Sequence, residues 1–143
     1  MTIDNRIENY DNVAPEIASV PVHLLISEEN TSLINQVTRH IPTVKINDLK
    51  IPIKYKKDIE KAVQILKNGG CEGVFLYGSV IKGIIHERLG IDLGIIGLPN
   101  EKFLNLFTRI YMDVDTEMNV KDFNDFKEDF LNLIKSKGIV KIG

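Results

Sequence analysis

The sequence predicts an α/β (α+β) protein, built on a small mixed β-sheet with helices packed against it. Short, nearly continuous apolar stretches alternate along the chain with longer stretches in which apolar residues recur every three or four positions. The first pattern is typical of buried strands and the second of amphipathic helices, so their alternation indicates a sheet covered by helices. A length of 143 residues, with 43% hydrophobic and 27% charged side chains, is that of one globular domain.

Composition excludes several classes of protein. A formal net charge of −2 excludes a polycation that coats nucleic acid without selectivity. No apolar run in the sequence approaches the roughly 20 residues that span a bilayer, and the polar start MTIDNRIENYDN lacks the apolar core of a signal peptide. The single cysteine, Cys71, excludes an internal disulfide and a multi-cysteine zinc site. We therefore expect a cytoplasmic protein with no membrane association.

The amino-terminal third carries the weakest patterns. Residues 1–17 have few regularly spaced apolar side chains, so we expect a flexible lead-in before a single domain over 18–143. Pro21 interrupts the apolar run 20–26, which predicts a short edge strand. Two further elements are predicted here: a helix over 31–41 that Pro42 ends, and a hairpin over 44–53 that turns at Asn47-Asp48.

The rest of the chain is predicted as alternating helices and strands. Residues 55–68 place apolar side chains on one side of a helix, which Gly69-Gly70 ends. Residues 109–115 alternate between apolar and polar side chains, which predicts a strand with one polar face. The other predicted elements are strands at 74–77, 91–96 and 139–142, a helical stretch through Ile85, and helices at 100–107 and 122–137.

The residues suited to chemistry lie between positions 74 and 115. A buried strand runs into Gly78-Ser79, a second strand holds Asp92 between apolar neighbours, and the third carries Asp113 and Asp115 on its polar face. Glycine at a strand-to-helix turn lets backbone N–H groups approach a phosphate. Carboxylates on neighbouring strands can hold Mg²⁺, which prefers oxygen ligands and bridges to phosphates. The arrangement therefore predicts a site for phosphate and divalent ions.

Each of these signals also has a purely structural interpretation. Glycine and serine are common in ordinary turns. Asp92 can form a salt bridge with Lys82 or Arg88 in place of binding a metal ion. Asp113 and Asp115 can equally lie on a solvated face of the sheet, where polar residues need no functional explanation.

Three segments within residues 55–142 together form a recognisable pattern. They are Leu76-Tyr77-Gly78-Ser79 followed by Gly83, then Ile91-Asp92-Leu93-Gly94-Ile95-Ile96, and then Tyr111-Met112-Asp113-Val114. This pattern resembles the nucleotidyltransferase superfamily that includes DNA polymerase beta, especially its minimal nucleotidyltransferases. The family pattern is an apolar strand, Gly-Ser, a nearby glycine, a strand with Asp-x-Asp and a third Asp on a later strand.

The resemblance implies a reaction, a cofactor and a set of site residues. The reaction is transfer of a nucleoside monophosphate from a nucleoside triphosphate, ATP by default, to a hydroxyl of a protein, nucleic acid or small molecule. Mg²⁺ is the implied cofactor. The resemblance assigns nucleotide binding to Gly78, Ser79, Lys82 and Gly83, catalysis to Asp92 and Asp113, and metal coordination to Asp92, Asp113 and Asp115.

Two positions depart from the family pattern. The first Asp of the family's pair falls on Gly90, and the basic residue that often follows Gly-Ser is Val80. Residues 90 and 92 face the same way in a strand, so one carboxylate is missing from the expected site, and Asp115 and Glu87 are the candidate replacements. The alternative function is a catalytically inactive nucleotidyltransferase-fold binding module, such as an antitoxin that pairs with a helical toxin protein.

Overall fold

The computed structural model describes Thr38, residues 41–85, Arg88 and residues 90–143. The predicted lead-in over 1–17 and the predicted strand over 20–26 lie outside the described residues. So does the predicted helix over 31–41, apart from Thr38, which is helical, and Ile41. Glu87, the candidate replacement ligand, also lies outside them.

The described residues form three α-helices and four β-strands, in the order expected of an α+β protein. Helix α1 (Ile53–Asn68) leads to β1 (Gly73–Tyr77), and a short 3-10 turn (Ser79–Lys82) leads on to β2 (Ile91–Ile96). The elements that follow are α2 (Asn100–Asp113), β3 (Met118–Asp122), α3 (Lys127–Ser136) and β4 (Ile139–Lys141). None of the helices in the described part of the chain is long and apolar enough to span a membrane.

The four strands form one mixed sheet in the order β3-β2-β1-β4. Strand β1 pairs antiparallel with both β2 and β4, whereas β2 and β3 run parallel. The parallel pair requires a crossover connection, and α2 supplies it. The predicted fold class, a small mixed sheet with helices packed on it, is therefore confirmed.

The two faces of the sheet have separate cores. On one face, Leu76 and Leu93 pack with residues of α1 and α2 such as Ile59 and Ile110. On the opposite face, aromatic and aliphatic side chains of the strands pack against α3. The members of this second core are Ile41, Phe75, Phe123, Phe130, Leu131, Ile134 and Ile139.

The predicted hairpin over 44–53 is wrong. Residues Ile46–Asp48 form a 3-10 turn instead, and the segment before it lies along β4. There the Val44 N–H donates to the Lys141 carbonyl (2.8 Å) and the Lys141 N–H donates to the Pro42 carbonyl (2.8 Å). The backbone therefore bonds to a distant strand, and the β4 edge of the sheet is covered.

The predicted strand over 109–115 is also wrong, because α2 continues to Asp113. Ile110 and Val114 are both buried, and a spacing of four residues fits helical and alternating patterns alike. Met112 separates the two patterns, since a strand would bury it between these neighbours, yet it is 74% exposed. The strand that neighbours β2 is Met118–Asp122, which the sequence pattern missed.

The final helix is shorter than predicted. Helix α3 begins at Lys127 rather than near residue 122, because Asp122 is the last residue of β3. It ends at Ser136, and Lys137 follows as the cap in the left-handed conformation (φ 62°). The Gly138 N–H then donates to the Leu133 carbonyl (3.0 Å).

Candidate functional site

Three side chains that carry polar groups lie side by side on neighbouring strands, near one end of the sheet. In the strand register, Tyr77 of β1 is opposite Asp92 of β2, and Asp92 is level with Asn119 of β3. Side chains alternate along a strand, so Asp92 points away from the face on which Leu93 packs with α1 and α2. We call these three residues the strand-end cluster.

Asp92 is held by its neighbour on β3. The Asn119 amide Nδ2 donates to Asp92 Oδ1 at 3.2 Å. Among the residues that the structure describes, neither Lys82 nor Arg88 makes an ion pair with Asp92, so the salt-bridge interpretation of this residue is not supported. A carboxylate in an apolar strand has thus been satisfied in part by a neutral amide.

The Gly78-Ser79 turn lies directly beside this carboxylate. Gly78 has a φ of 83° and a ψ of −159°, and a β-carbon there would stand 2.9 Å from Asp92 Oδ2. Ser79 is exposed and begins the 3-10 turn, which ends at Gly83 in the left-handed conformation. The predicted neighbourhood of Asp92 and the glycine–serine turn is therefore found in the structure.

Burial and charge both act on Tyr77. Its side chain is half-buried, its ring lies 5.6 Å from that of Phe123, and its pKa is raised to about 12. Burial is the largest cause, followed by the negative charges of Asp92 and Asp129. Tyr77 therefore stays a neutral hydrogen-bonding group at physiological pH.

Asp113 does not belong to this site. It is the last residue of α2, and its carbonyl accepts a hydrogen bond from Lys61 Nζ (3.2 Å). It lines a hollow with Lys61, Gln64 and Arg109 between α1 and α2, whose layer covers the face of the sheet opposite Asp92. The prediction that Asp92 and Asp113 project from adjacent strands into one site is therefore wrong.

Asp115 does not lie on a strand of the sheet either. It lies in the connection between α2 and β3, is exposed, and lines a hollow that Lys54 and Lys57 of α1 also border. Its neighbour Thr116 donates from its N–H (3.1 Å) and its hydroxyl (2.5 Å) to Asp58 of α1. Those contacts tie the connection to the helical layer, so Asp115 does not replace the missing family carboxylate.

Gly90 is not an empty ligand position. It precedes β2 with a φ of 77°, and a β-carbon there would stand 2.6 Å from the Glu117 carbonyl oxygen. The strand alternation that would align residue 90 with Asp92 therefore does not extend to it. Backbone geometry selects glycine at this position.

The donor set of the cluster is small. Asp92 supplies one carboxylate, while Asn119 supplies a neutral amide. Within the described residues, no group of three or more His, Cys, Asp or Glu side chains is arranged to hold a metal ion. This donor set does not fit a pair of Mg²⁺ ions, which two or more shared carboxylates normally hold.

Asn119 is the site residue that the sequence did not point to. A neutral amide on a short, mostly polar strand carries no charge signal, and that strand itself had been missed. A signal for it exists in the preceding segment, where apolar residues recur at intervals of three and four: Phe103, Leu106, Phe107 and Ile110. This spacing extends the predicted helix beyond residue 107 and so places the next strand nearer to Asn119.

No protein-family model and no curated protein matches this sequence.

Proposed function

We propose that this chain is a nucleotidyltransferase-like binding module. It binds a nucleoside triphosphate and does not transfer the nucleoside monophosphate to an acceptor. The observation that carries the proposal is the position of Asp92 against Gly78, with Asn119 and not an acid on the neighbouring strand. The proposal also uses the resemblance of the sequence to the DNA polymerase beta-like nucleotidyltransferases.

The loss of catalysis follows from the acids around the glycine–serine turn. In the resembled family, an Asp-x-Asp pair and a third Asp on a later strand hold the ions. Here the corresponding positions read Gly90 just before β2, Asp92 on β2 and Asn119 on β3. One carboxylate is too little negative charge to hold two divalent ions close together, so activation of an acceptor hydroxyl is not expected.

Binding requires less of the site than transfer does. The missing side chain of Gly78 lets the Asp92 carboxylate lie against the turn, and the exposed Ser79 hydroxyl can donate to a phosphate oxygen. A single Mg²⁺ ion carried by the nucleotide's phosphates can bind with as few as one protein carboxylate, and Asp92 would supply that one. Exposed Lys82, at the end of the same turn, adds a positive charge.

The test is calorimetric titration of the full chain with ATP, with and without Mg²⁺. We expect binding that Mg²⁺ strengthens and that Asp92→Ala weakens about tenfold, which corresponds to about 1.4 kcal/mol. Asp113→Ala is the matched control, because it removes an equally charged side chain from the α1–α2 layer and should leave binding unchanged.

A parallel assay separates binding from transfer. The chain is incubated with α-labelled ATP, Mg²⁺ or Mn²⁺ and hydroxyl acceptors that include the chain itself. We expect bound nucleotide and no covalent label. Label transfer that Asp92→Ala abolishes would show a working transferase and overturn the proposal, as would the absence of any nucleotide binding.

A further inference from the structure

The two edges of the sheet differ in their backbone hydrogen bonding. At β4, the segment around Val44 is hydrogen-bonded along the strand through Lys141. At the other edge, β3 pairs with β2 on one side, and in the part of the chain that the structure describes no strand or bridge pairs with its other side. An open edge is a template for pairing with another strand.

Every second residue of β3 points its backbone hydrogen-bonding groups out from this edge, and the carbonyl of the last of them, Asp122, accepts from the Asp125 N–H (3.0 Å). The Ile91 N–H donates to the Glu117 carbonyl and the Phe123 N–H donates to the Ile95 carbonyl, each at 2.9 Å. Odd-numbered residues of β3 therefore turn their backbone groups toward β2. Successive residues turn to opposite sides, so the N–H and C=O groups of Met118 and Val120 point outward.

Helix α2 exposes two large apolar side chains that line a hollow against β3. Tyr111 is 78% exposed and Met112 74%. Phe107 also lines this hollow of about 570 Å³ between α2 and β3, with Met118 on its far side. Apolar surface beside a strand edge to which no other described strand pairs indicates a protein interface.

We propose that β3 pairs antiparallel with β3 of a second copy of this chain, which joins the two four-stranded sheets into one. A two-fold axis at Asn119 places Met118 opposite Val120 of the second copy and Val120 opposite its Met118. Each pair exchanges two backbone hydrogen bonds, because these are the residues whose groups point outward.

Charge favours this register and a second copy as the occupant. The same axis places Glu117 opposite Lys121 of the second copy, and Lys121 opposite its Glu117, which gives two pairs of opposite charge. Both side chains leave the strand on one face, since they differ by four positions. Lys121 already contacts Asp129 (3.2 Å), and its ammonium group has further hydrogens to donate.

The first test is the oligomeric state of the full chain, measured by sedimentation equilibrium up to about 100 µM protein. We expect a dimer. Lys121→Glu opposes Glu117 of the second copy and should raise the dimer dissociation constant at least about tenfold, while Glu117→Lys combined with Lys121→Glu should restore it. Tyr111→Glu should dissociate the dimer, and Ile53→Glu, which alters an equally exposed apolar residue on α1, should not.

A cysteine at the two-fold axis tests the register. Residues that face each other in a non-hydrogen-bonded antiparallel pair have Cα atoms about 4.5 Å apart, within the range of a disulfide. The Asn119→Cys variant is incubated with glutathione disulfide as the oxidant. We expect a covalent dimer, in which the two introduced thiols are oxidised to a disulfide while glutathione disulfide is reduced to two glutathione molecules. Wild type, with buried Cys71, should not form one. A monomer at every concentration, or a dimer insensitive to the β3 and α2 changes, would overturn the proposal.

Discussion

The Asp92 carboxylate lies so close to Gly78 that a β-carbon on the glycine would stand 2.9 Å from Oδ2. Gly78 also has a φ of 83°, a conformation that side-chain-bearing residues rarely adopt. Steric contact and backbone conformation therefore both select glycine here. The contact also joins the end of β1 to β2 at the point where the strand-end cluster begins.

The contact can be measured by a double-mutant cycle. Gly78→Ala should lower the free energy of unfolding by roughly 1–3 kcal/mol, because it combines a strained φ with a steric conflict. In an Asp92→Ala background the cost should be smaller, since the nearest remaining Asp92 atom, Cβ, is 3.9 Å from the new methyl group. Urea denaturation of wild type, the two single variants and the double variant gives the loss of stability caused by Gly78→Ala in each background. Equal losses in the two backgrounds would contradict a steric conflict between residue 78 and the Asp92 carboxylate.

A carboxylate cannot be restored at residue 90. Sequence reasoning alone expects Gly90→Asp to strengthen divalent-ion binding, but the structure gives the opposite expectation. The φ of 77° and the 2.6 Å approach to the Glu117 carbonyl oxygen should make both Gly90→Asp and Gly90→Ala destabilising, with no gain in Mn²⁺ affinity. Thermal unfolding with and without Mn²⁺ measures both effects. A stable Gly90→Asp variant that binds Mn²⁺ more tightly would show that the backbone is not the constraint.

The position that can be restored is residue 119. Asn119→Asp places a second carboxylate about where Nδ2 now donates to Asp92 (3.2 Å). Two adjacent carboxylates repel each other, so the variant should be less stable than wild type without metal and should gain stability on addition of Mn²⁺. Asn105→Asp, an exposed change on α2, is the control and should respond to Mn²⁺ no more than wild type. A metal response equal to that of the control would argue against a shared oxygen site.

Sequence patterns predicted the fold well where one periodicity stood alone. The apolar runs of β1 and β2 are each typical of a buried strand alone, and both strands were placed within a residue of their bounds. At 109–115, helix and strand predict the same buried residues at Ile110 and Val114, so these seven residues alone do not separate the two, and only the helical spacing of the residues before them favours the helix. Helix packing against α1 decides the outcome, and that is a tertiary effect.

The candidate site was predictable only where charge marked it. The sequence identifies Asp92 as a candidate because a carboxylate is costly in a buried strand, and in the structure Asp92 lies against Gly78. The prediction for Asp113 is wrong because the segment predicted as its strand is part of helix α2. Asn119 is neutral, and its relation to Asp92 depends on the parallel register of β2 and β3, which no local pattern encodes.

Tyr77 should make the stability of the protein fall in alkaline solution. Its pKa rises from 10.0 to about 12 on folding, chiefly through burial and then through Asp92 and Asp129. The folded state therefore holds the hydroxyl proton more tightly, so its stabilising effect is complete below pH 10 and is lost as pH rises toward 12. Cys71, whose pKa burial raises to about 11, contributes with the same sign in every variant that retains it.

The contribution of Tyr77 can be isolated by Tyr77→Phe, which removes the ionisable hydroxyl and keeps the ring beside Phe123. Urea denaturation at about pH 8 and about pH 11 should show a smaller loss of stability for Tyr77→Phe than for wild type. Asp92→Asn should also reduce the loss, because it removes one of the charges that raise the pKa of Tyr77. The same loss in all three proteins would mean that neither burial nor Asp92 raises the pKa of the hydroxyl, and would contradict the proximity of Asp92 to Tyr77.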